Sequence, residues 1–393
     1  MSEAPGRAGK VLVTDGEARA ALAATRSLGR RGYEVHVVSA DGRSLAGASR
    51  HARADHALGD AGADPRGWSE RLAALVDRLA ADVVLPVTEL SLGNVYRFEL
   101  DRDPRFVCPE RALYERAVDK HALLAQAEAL GVPVPRTALL DPATAPPALP
   151  EPFRYPVVLK ARRSRFWAGG GWQSGEAVTV RGPAQWTEAL RAPGLAGGAL
   201  LQEFVPGHGE GVFLLARDGE ALVRFAHRRL REKPPTGGVS VLSESVRPDP
   251  KLLPSAEALL AALRWTGIAM VEFRRAPDGR AVLMEINPRL WGSVQLAIDA
   301  GVDFPALAVA LHRGEPIPPV EPRLGVRTRW LLGDLDHLLI SLRRRAVRRQ
   351  TGRGVARVVL DFLRSFADTS REEILRRDDW RPFLRELRLR VRA

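Results

Sequence analysis

Cysteine and long apolar segments are both scarce in this chain. Cys108 is the only cysteine among 393 residues. One thiol cannot form a disulfide within the chain, and it cannot supply the ligands of a cysteine-rich zinc site. The apolar run that begins at Val11 is short and typical of a strand, so the sequence indicates neither a signal peptide nor a bilayer-spanning stretch. We therefore expect a cytoplasmic protein.

Lysine is scarce as well, although the chain is basic. The net charge is +12, and almost all of the basic residues are arginines. The only lysines are Lys10, Lys120, Lys160, Lys233 and Lys251. The charge is also uneven, because residues 321–393 contain 19 Arg against 10 Asp or Glu, a net charge of +9. Aromatic residues are sparse in this basic segment, so its charge does not indicate nucleic-acid binding.

The N-terminal part of the chain has the pattern of an open α/β sheet. A short buried strand is predicted at 10–14, an alanine-rich helix at 18–30 and a second strand at 33–39. This strand–helix–strand spacing implies parallel pairing. A helix at about 68–80 and a strand at 82–87 continue the pattern. No G-x-G-x-x-G run follows the first strand, so the dinucleotide fingerprint is absent.

The rest of the chain predicts further helices and strands and a basic tail. Residues 111–130 have the periodicity of one helix, which Gly131 and the prolines after it end. Strands are predicted at 155–160, 177–180 and 199–204, with a flexible glycine loop at 169–171. Helices are predicted at 183–190, 254–265, about 294–312 and 330–349. Hairpins are predicted at 211–227, around Asp218-Gly219, and at 269–286, around Asp278-Gly279.

Two acidic residues, Glu272 and Glu285, lie thirteen residues apart on the strands of the second hairpin, and Asn287 follows. Side chains two apart on a strand point to the same face, so a tight hairpin places all three together. Crowded carboxylates repel each other, and a divalent cation relieves that repulsion. Carboxylate and amide oxygens suit Mg²⁺, which takes further ligands from water and substrate phosphates. Taken alone, the two glutamates could equally be solvated strand residues. Arg289 favours a site, because it adds a cation that can stabilise charge on a transferring phosphoryl group or acyl phosphate.

The run Glu285-Ile-Asn-Pro-Arg289, with an acidic residue thirteen positions earlier, resembles the metal-binding signature of the ATP-grasp superfamily. Its continuation Leu-Trp-Gly-Ser is similar to one subgroup, the predicted carboxylate–amine ligases. The resemblance implies an α/β protein with the ATP-grasp fold. An N-terminal open α/β (pre-ATP-grasp) domain would span 1–112, a linker helix and a small lid subdomain 113–200, and a mostly antiparallel α+β core for metal and nucleotide 201–320. A basic helical extension, 321–393, would follow.

The resemblance also implies a set of nucleotide-binding residues. In ATP-grasp proteins, a strand lysine before a glycine-rich loop contacts phosphates, an earlier lysine faces the nucleotide, and two glutamates bind adenine and ribose. The matching phosphate-binding positions are Lys160, with Gly169 and Gly170 after it, and the earlier lysine is Lys120. Glu203 and the backbone of Phe204 and Val205 match the adenine site, and Glu210 matches the ribose site. Val158 and either Met284 or Ile286 would form apolar walls for the adenine. Taken singly, each could instead be an ordinary surface, salt-bridge or core residue.

Candidates for binding the acceptor substrate carry a weaker signal. They are Arg228, Arg229 and Arg231, which precede the loop 234–240, and Glu89, with His208 and His227 as less favoured bases. The arginines could bind a substrate carboxylate or form a solvated basic turn. Glu89 follows a predicted strand, where ligands gather in open α/β sheets. Both histidines are better interpreted as structural.

The basic amphipathic segment 330–392 allows two interpretations. It could dock on an anionic membrane surface or an acidic partner, because arginines alternate with apolar residues. It could also be a helical cap whose arginine stems cover apolar surface of the protein body. The cap is the favoured interpretation.

The expected function is that of a ligase. It would use ATP with Mg²⁺ or Mn²⁺ to activate a small-molecule carboxylate as an acyl phosphate. A small-molecule amine would then form an amide, with release of ADP and phosphate. One alternative is an ATP-grasp carboxylase that uses bicarbonate, and another is an ATP-binding protein without turnover. No nucleic-acid partner is expected.

Overall fold

A computed structural model describes residues 9–146, 148–235, 237–344, 347, 352, 354–367 and 371–392. Three larger units of secondary structure follow each other along these residues. They are an open parallel sheet, a small antiparallel sheet and a large, mostly antiparallel sheet.

The N-terminal unit is a sheet of four parallel strands in the order β3-β2-β1-β4. Its elements are β1 (Lys10–Val13), α1 (Arg19–Arg30), β2 (Glu34–Ser39), β3 (Ala52–Ala57), α2 (Pro65–Leu79), β4 (Val83–Leu85), α3 (Glu89–Arg97) and a 3₁₀ turn (Leu100–Arg102). The predicted strand–helix–strand unit and its parallel pairing are confirmed. The sequence pattern does not predict β3, since its side chains are only partly buried and lack β-branched residues.

Two helices occupy the segment for which the sequence predicts one. They are α4 (Arg111–Val118) and α5 (Lys120–Ala129). The carboxylate of Asp119, between them, accepts hydrogen bonds from the backbone N–H groups of His121 and Ala122 at 3.1 and 3.2 Å. Asp119 therefore caps a new helix, which explains the break. As a consequence, Lys120 is the first residue of α5.

The small sheet has the strand order β5-β10-β6-β9, with antiparallel neighbours. The elements of this unit are β5 (Thr137–Leu140), β6 (Val157–Ala161), β7 (Arg165–Ala168), β8 (Gly171–Ser174), β9 (Ala177–Val180), α6 (Pro183–Leu190), a 3₁₀ turn (Pro193–Leu195) and β10 (Ala199–Glu203). The glycine run is not a loop throughout. Gly169 and Gly170 form the tip of the β7–β8 hairpin with φ of 59° and 81°, and Gly171 begins β8.

The large sheet has the order β15-β14-β11-β12-β13-β16-β17. The elements of this unit are β11 (His208–Arg217), β12 (Glu220–Lys233), β13 (Val239–Val246), α7 (Leu252–Leu263), β14 (Gly267–Arg275), β15 (Ala281–Asn287), α8 (Val294–Asp299), α9 (Phe304–His312), β16 (Arg327–Arg329) and β17 (Arg371–Glu372). Both predicted hairpins are confirmed. Residues 234–235 and 237–238 connect β12 to β13, while Thr236 of the predicted loop lies outside the described residues.

The two faces of the large sheet are buried differently. One face packs against α5 and α7 in a core that includes Val271 and Leu283. The other packs against α8 and α9, which also contact α1, so that Met270, Trp291 and Val13 belong to one core. This second core fixes the position of the N-terminal sheet relative to β14 and β15.

The C-terminal segment contains α10 (Leu331–Arg343), α11 (Val355–Ala367) and α12 (Arg381–Arg392). The helix predicted at 330–349 begins at Leu331, and most of its residues after Arg344 lie outside the described part. β16 and β17 extend the large sheet across the predicted boundary at 320. The residues between β17 and α12 contact α1, where the buried guanidinium of Arg26 binds Asp379. The division at 112, 200 and 320 stays a prediction.

Candidate active site

Two carboxylates and an amide converge at the end of the β14–β15 hairpin. Glu272 and Glu285 are direct cross-strand partners, and Asn287 follows two residues later on β15. Asn287 Nδ2 donates a hydrogen bond to Glu285 Oε1 at 3.1 Å. The side chains of Glu272 and Glu285 keep 23% and 29% of their surface exposed, so both remain open to a cleft.

Three cations from other elements face this carboxylate pair. Lys120 Nζ lies 3.4 Å from Glu285 Oε2, and Arg229 Nη2 lies 3.2 Å from Glu272 Oε1. Lys160 projects from β6 and is buried near both. Lys120 also donates to Ser164 Oγ at 2.8 Å. Three elements distant in sequence, α5, β6 and β12, therefore join the β14–β15 hairpin in one compact group of charges.

Burial and charge act together on the titration of these groups. Burial, with the nearby charge of Lys120, lowers the pKa of Lys160 to about 8, although Glu285 and Glu272 oppose this shift. Burial would raise the pKa of Glu285, but Lys120 and Lys160 outweigh it and hold that pKa below its ordinary value. Burial and the charge of Glu285 raise the pKa of Glu272 despite Arg229. Glu285 is therefore the better-stabilised anion.

A cavity of about 290 Å³ connects the lysines to the carboxylates. It lies between the small sheet and the β14–β15 hairpin, with walls that include Lys120, Lys160, Glu272 and Glu285. Its apolar walls include the predicted residues Val158 and Met284, whereas Ile286 packs in the core under α7. The cavity lining thus combines charged and apolar side chains.

The oxygen donors of the carboxylate pair and of Asn287 fit a hard divalent cation; Asn287 lies beside the cavity and its Oδ1 accepts a hydrogen bond from Arg289. Glu272 and Glu285 supply two adjacent carboxylates, and Asn287 supplies an amide oxygen, a donor set that suits Mg²⁺. Among the residues that the structure describes, no group of three His, Cys, Asp or Glu side chains could hold a metal ion. A metal site here therefore depends on Asn287 and on ligands from a phosphorylated substrate.

The predicted adenine and ribose residues lie outside the lining of this cavity. Glu203 borders a different cavity and accepts a hydrogen bond from Arg280 at 3.1 Å. The Val205 carbonyl accepts from Arg274 Nε at 2.6 Å, and the adjacent Phe204 is half-buried. Glu210 is held by Arg275 at 2.6 and 2.8 Å. The carboxylates of Glu203 and Glu210 and the carbonyl of Val205 already have arginine partners in this structure.

The glycine-rich hairpin leans on the N-terminal unit. Gly169 and Gly170 have open space around them, with no atom within 4 Å of the Cβ that a side chain would add. At the base of the hairpin, Ser164 lines the cavity. On its sides, Trp172 Nε1 donates to Asn94 Oδ1 at 2.6 Å, and Arg97 lies over the Trp167 ring at 3.7 Å. Contacts with α3 thus hold the hairpin against the N-terminal unit.

Arg289 joins the carboxylate group to the N-terminal unit. Its Nη2 donates to Asn287 Oδ1 at 3.0 Å, and a guanidinium nitrogen lies 3.7 Å from Glu89 Oε1. Glu89 begins α3, where Asp15 accepts from the Thr88 backbone N–H at 3.1 Å and the Thr88 hydroxyl at 2.8 Å. The carboxyl end of the parallel sheet therefore faces Arg289, as expected for a ligand-binding edge.

The three arginines of β12 are all engaged in ion pairs. Arg228 binds Glu244 at 2.5 Å, and Arg231 is buried against Asp334 at 2.6 Å. Of the three, Arg229 contacts the carboxylate group. The sequence suggested that Arg229 binds the acceptor substrate. Its ion pair with Glu272 joins two strands that are far apart in the chain, so the sequence of neither strand predicts it.

The two histidines occupy dissimilar environments. His227 is buried, and burial with the nearby charge of Arg229 lowers its pKa to about 3, so it stays neutral. His208 is exposed and lies 3.0 Å from Glu210. Neither lines the cavity with the lysines and carboxylates.

Comparison with known proteins agrees with this geometry. A family model described as "ATP-grasp in the biosynthetic pathway with Ter operon" matches residues 198–333, which include Glu272, Glu285, Asn287 and Arg289. The structure resembles the biotin carboxylase domain of the 2-oxoglutarate carboxylase of Hydrogenobacter thermophilus, with a TM-score of 0.61 and 17% identity over 81% of this chain and 73% of that one. The chain has the ATP-grasp fold.

Two other solved structures have the same fold. The L-amino acid ligase of Bacillus licheniformis has a TM-score of 0.57 and 16% identity over 78% of this chain and 75% of its own chain. The N5-carboxyaminoimidazole synthetase of Staphylococcus aureus has a TM-score of 0.62 and 13% identity, covering 84% and 83%. No curated protein matches the sequence. The predicted ATP-grasp fold is confirmed, and membership of the carboxylate–amine ligase subgroup stays a prediction.

Proposed function

We propose that this protein is an ATP-dependent ligase that activates a carboxylate as an acyl phosphate and joins it to an amine. The observation that carries the proposal is the single cavity in which Lys120 and Lys160 face Glu272 and Glu285. Cations suit the phosphates of a nucleotide, and paired carboxylates suit the metal ion that accompanies it. The structure of the Hydrogenobacter relative contains MgADP and bicarbonate, which agrees with such a site.

The residues of the cavity have separate tasks in this proposal. Lys120 and Lys160 bind the phosphates, while Val158 and Met284 contact the adenine ring. Glu272, Glu285 and Asn287 would hold Mg²⁺ or Mn²⁺. The metal would supply neutralisation of phosphate charge and orientation of the phosphates. Glu203, Glu210, and the Phe204 and Val205 backbone would complete the nucleotide site, and the hairpin tip at Gly169 and Gly170 would cover the phosphates.

The chemistry proceeds in two displacement steps. A carboxylate oxygen of the acid forms a bond to the γ-phosphorus of ATP, the bond to the β–γ bridging oxygen breaks, and ADP leaves. The amine nitrogen then bonds to the acyl carbon, the bond to the phosphate oxygen breaks, and the nitrogen loses a proton to solvent. Arg289, which is fixed by Asn287, stabilises the charge that develops on the transferring group. Positioning and electrostatics suffice, so no protein nucleophile is needed.

A screen for ADP release tests this proposal directly. The purified protein would be incubated with ATP, Mg²⁺ or Mn²⁺, and pairs of amino acids and small carboxylates. Amide formation in proportion to ADP is the expected result. ADP release that needs bicarbonate and incorporates labelled bicarbonate would instead favour the carboxylase alternative, in which bicarbonate is the activated acid. Nucleotide binding with no ADP release under any condition would identify a binding protein without turnover.

Lys160→Ala is expected to weaken ATP binding by roughly 10- to 100-fold. A hydrogen bond to a charged group contributes about 1.5–3 kcal/mol, and every 1.4 kcal/mol corresponds to about tenfold in affinity. Calorimetric titration with ATP and Mg²⁺ measures this change. Lys251→Ala is the matched control, because Lys251 is exposed just before α7 and does not line the cavity. An unchanged affinity in Lys160→Ala would exclude Lys160 as a phosphate ligand.

A further inference from the structure

A second cavity, of about 250 Å³, lies beside Arg289 on the face of β14 that meets the N-terminal sheet. It opens between the carboxyl end of β4 and the start of β14. Most of its lining is apolar and comes from both units: Leu85, Leu92, Val107, Ile268, Ala308 and Leu311. Among the described residues that line it, Arg289 is the only arginine, and no lysine or carboxylate does so.

Arg289 links this apolar cavity to the nucleotide site. Arg289 lines the cavity, and its guanidinium donates to Asn287 and to the Leu290 carbonyl and faces Glu89. A planar guanidinium is well suited to bind a carboxylate with two hydrogen bonds. A carboxylate placed on Arg289 therefore lies beside the carboxylate group of β14 and β15, and its substituent can enter the apolar cavity.

We propose that this cavity holds the substituent of the acid substrate, and that the acid carries a small aliphatic or aromatic group. This inference rests on the proposed ligase function. An uncharged apolar group gains from leaving water, and besides Arg289 the described lining offers only three polar side chains, those of Cys108, Thr266 and His312, to a polar substituent. The volume lies just below the usual range for drug-sized ligands, which favours a small substituent.

The test is ADP release with acetate, butanoate, hexanoate and succinate as the acids. Each added methylene should raise kcat/KM about three- to fourfold until the cavity is full, and succinate should be poor. Ala308→Leu fills the cavity and should remove the gain from butanoate to hexanoate. Leu311→Ala enlarges it and should extend the gain. Ala310→Leu is the control, because Ala310 lies on the same helix but does not line the cavity.

The outcomes separate this inference from the function on which it rests. ADP release with no dependence on chain length, or with the same dependence in Ala308→Leu and Leu311→Ala, overturns the apolar cavity and leaves the ligase proposal intact. No ADP release with any acid overturns both.

A separate observation concerns the surface of α11. Four large apolar side chains of this helix are exposed by 42 to 58%: Val355, Leu360, Leu363 and Phe366. At about 100° per residue they cover roughly 140° of the helix circumference. The opposite face of α11, with Val358 and Ser365 buried, packs towards α10. The described residues thus leave one whole apolar face of α11 uncovered.

Arginines dominate the charge on α11 and in the sequence before it, and Asp361, which pairs with Arg357, is the one acidic residue of α11. From His337 to Leu360 the sequence contains seven arginines and no Asp or Glu. Arg357 and Arg364 flank the apolar face on α11 itself. An amphipathic helix with arginines beside its apolar side chains is typical of segments that lie in the interface of an anionic bilayer.

We propose that the apolar face of α11, together with Arg357 and Arg364 on the same helix, docks on an anionic membrane surface. Acidic lipid headgroups complement the arginines, and the acyl boundary accepts the apolar side chains. A second copy of the chain would bring like charges together, and a nucleic acid would leave the apolar face in water. Among the described residues, no helix combines the length and apolarity needed to cross a bilayer, so the contact would be peripheral.

Co-sedimentation of the full chain with vesicles tests this docking. Vesicles of phosphatidylcholine with about 30% phosphatidylserine have a strongly anionic surface and should bind the protein. Vesicles of pure phosphatidylcholine should not. The double variant Leu363→Ser/Phe366→Ser should reduce binding at least tenfold. The control is Leu139→Ser/Leu324→Ser, which removes two leucines that are 54% and 50% exposed elsewhere.

Four results would overturn the membrane proposal. They are no binding to the anionic vesicles, equal binding to neutral vesicles, equal loss in the control variant, and no effect of the double variant. If a second copy of the chain were the partner, sedimentation equilibrium without lipid would show a dimer, and the double variant would be a monomer. That result would also overturn the membrane proposal.

Discussion

Glu285→Gln is expected to reduce ADP formation by at least about a thousandfold, or ~4 kcal/mol of transition-state stabilisation. Glu285 faces Glu272 across the hairpin and lies near both lysines of the cavity. A neutral amide in its place cannot balance the charge of a divalent cation. Loss of a metal ion's charge stabilisation is worth several kcal/mol in reactions of this kind. Steady-state ADP release with saturating ATP and Mg²⁺ measures the effect.

The fold should survive this substitution, because glutamine has nearly the same shape as glutamate. Lys120 loses an ion pair but keeps its hydrogen bond to Ser164. Circular dichroism and thermal unfolding should therefore remain close to those of the unchanged protein. Glu257→Gln is the matched control, since Glu257 pairs with Arg224 on another part of the surface. ADP release at the original rate in Glu285→Gln would refute the metal-site assignment.

Arg26→Ala is expected to lower the free energy of unfolding by about 3–5 kcal/mol, the range for removing one partner of a buried ion pair. Arg26 is fully buried in α1 and holds the turn before α12. Its guanidinium donates to Asp379 Oδ2 at 2.8 Å and to the carbonyls of Glu373, Ile374 and Asp379 at 2.8 to 2.9 Å. Alanine would leave the Asp379 carboxylate and three carbonyls without this donor. Urea unfolding at 25 °C measures the loss.

A neighbouring ion pair on the same helix provides the control. Arg30 pairs with Asp378 at 2.9 Å, but both side chains are about half exposed. Such surface pairs contribute roughly 0–1 kcal/mol, because solvent screens them. Arg30→Ala should therefore have a small effect. Equal losses in the two variants would show that burial of the Arg26 pair does not hold the C-terminal segment on α1.

The parts of the fold that depend on local sequence could be predicted. Asp218-Gly219 and Asp278-Gly279 favour tight turns, and both hairpins form around them. The helix over 183–190 is confirmed at the same bounds, since Pro183 begins it. The single helix predicted at 111–130 is wrong, because the capping of α5 by Asp119 overrides continuous apolar periodicity.

The candidate site divides in the same way. The separation of Glu272 and Glu285 within one hairpin placed them together from the sequence. The ion pair between Arg229 and Glu272 and the contact of Arg289 with Glu89 join segments far apart in the chain. A contact of this kind leaves no period or turn signal in a single sequence. The same holds for the uncovered face of α11, because periodicity shows that a helix is amphipathic and not which face is covered.

The sequence by itself predicted which side chains would hold a metal ion, because Glu272, Glu285 and Asn287 are spaced along two short strands whose geometry is local. The resemblance to ATP-grasp proteins implied the nucleotide-binding residues. The tertiary structure decided which of them meet. Packing of α5, β6 and the β14–β15 hairpin brings Lys120, Lys160 and the two glutamates to one cavity. It also turns Glu203 and Glu210 towards arginine partners. These choices depend on burial and charge between distant segments, which become defined only once the chain has folded.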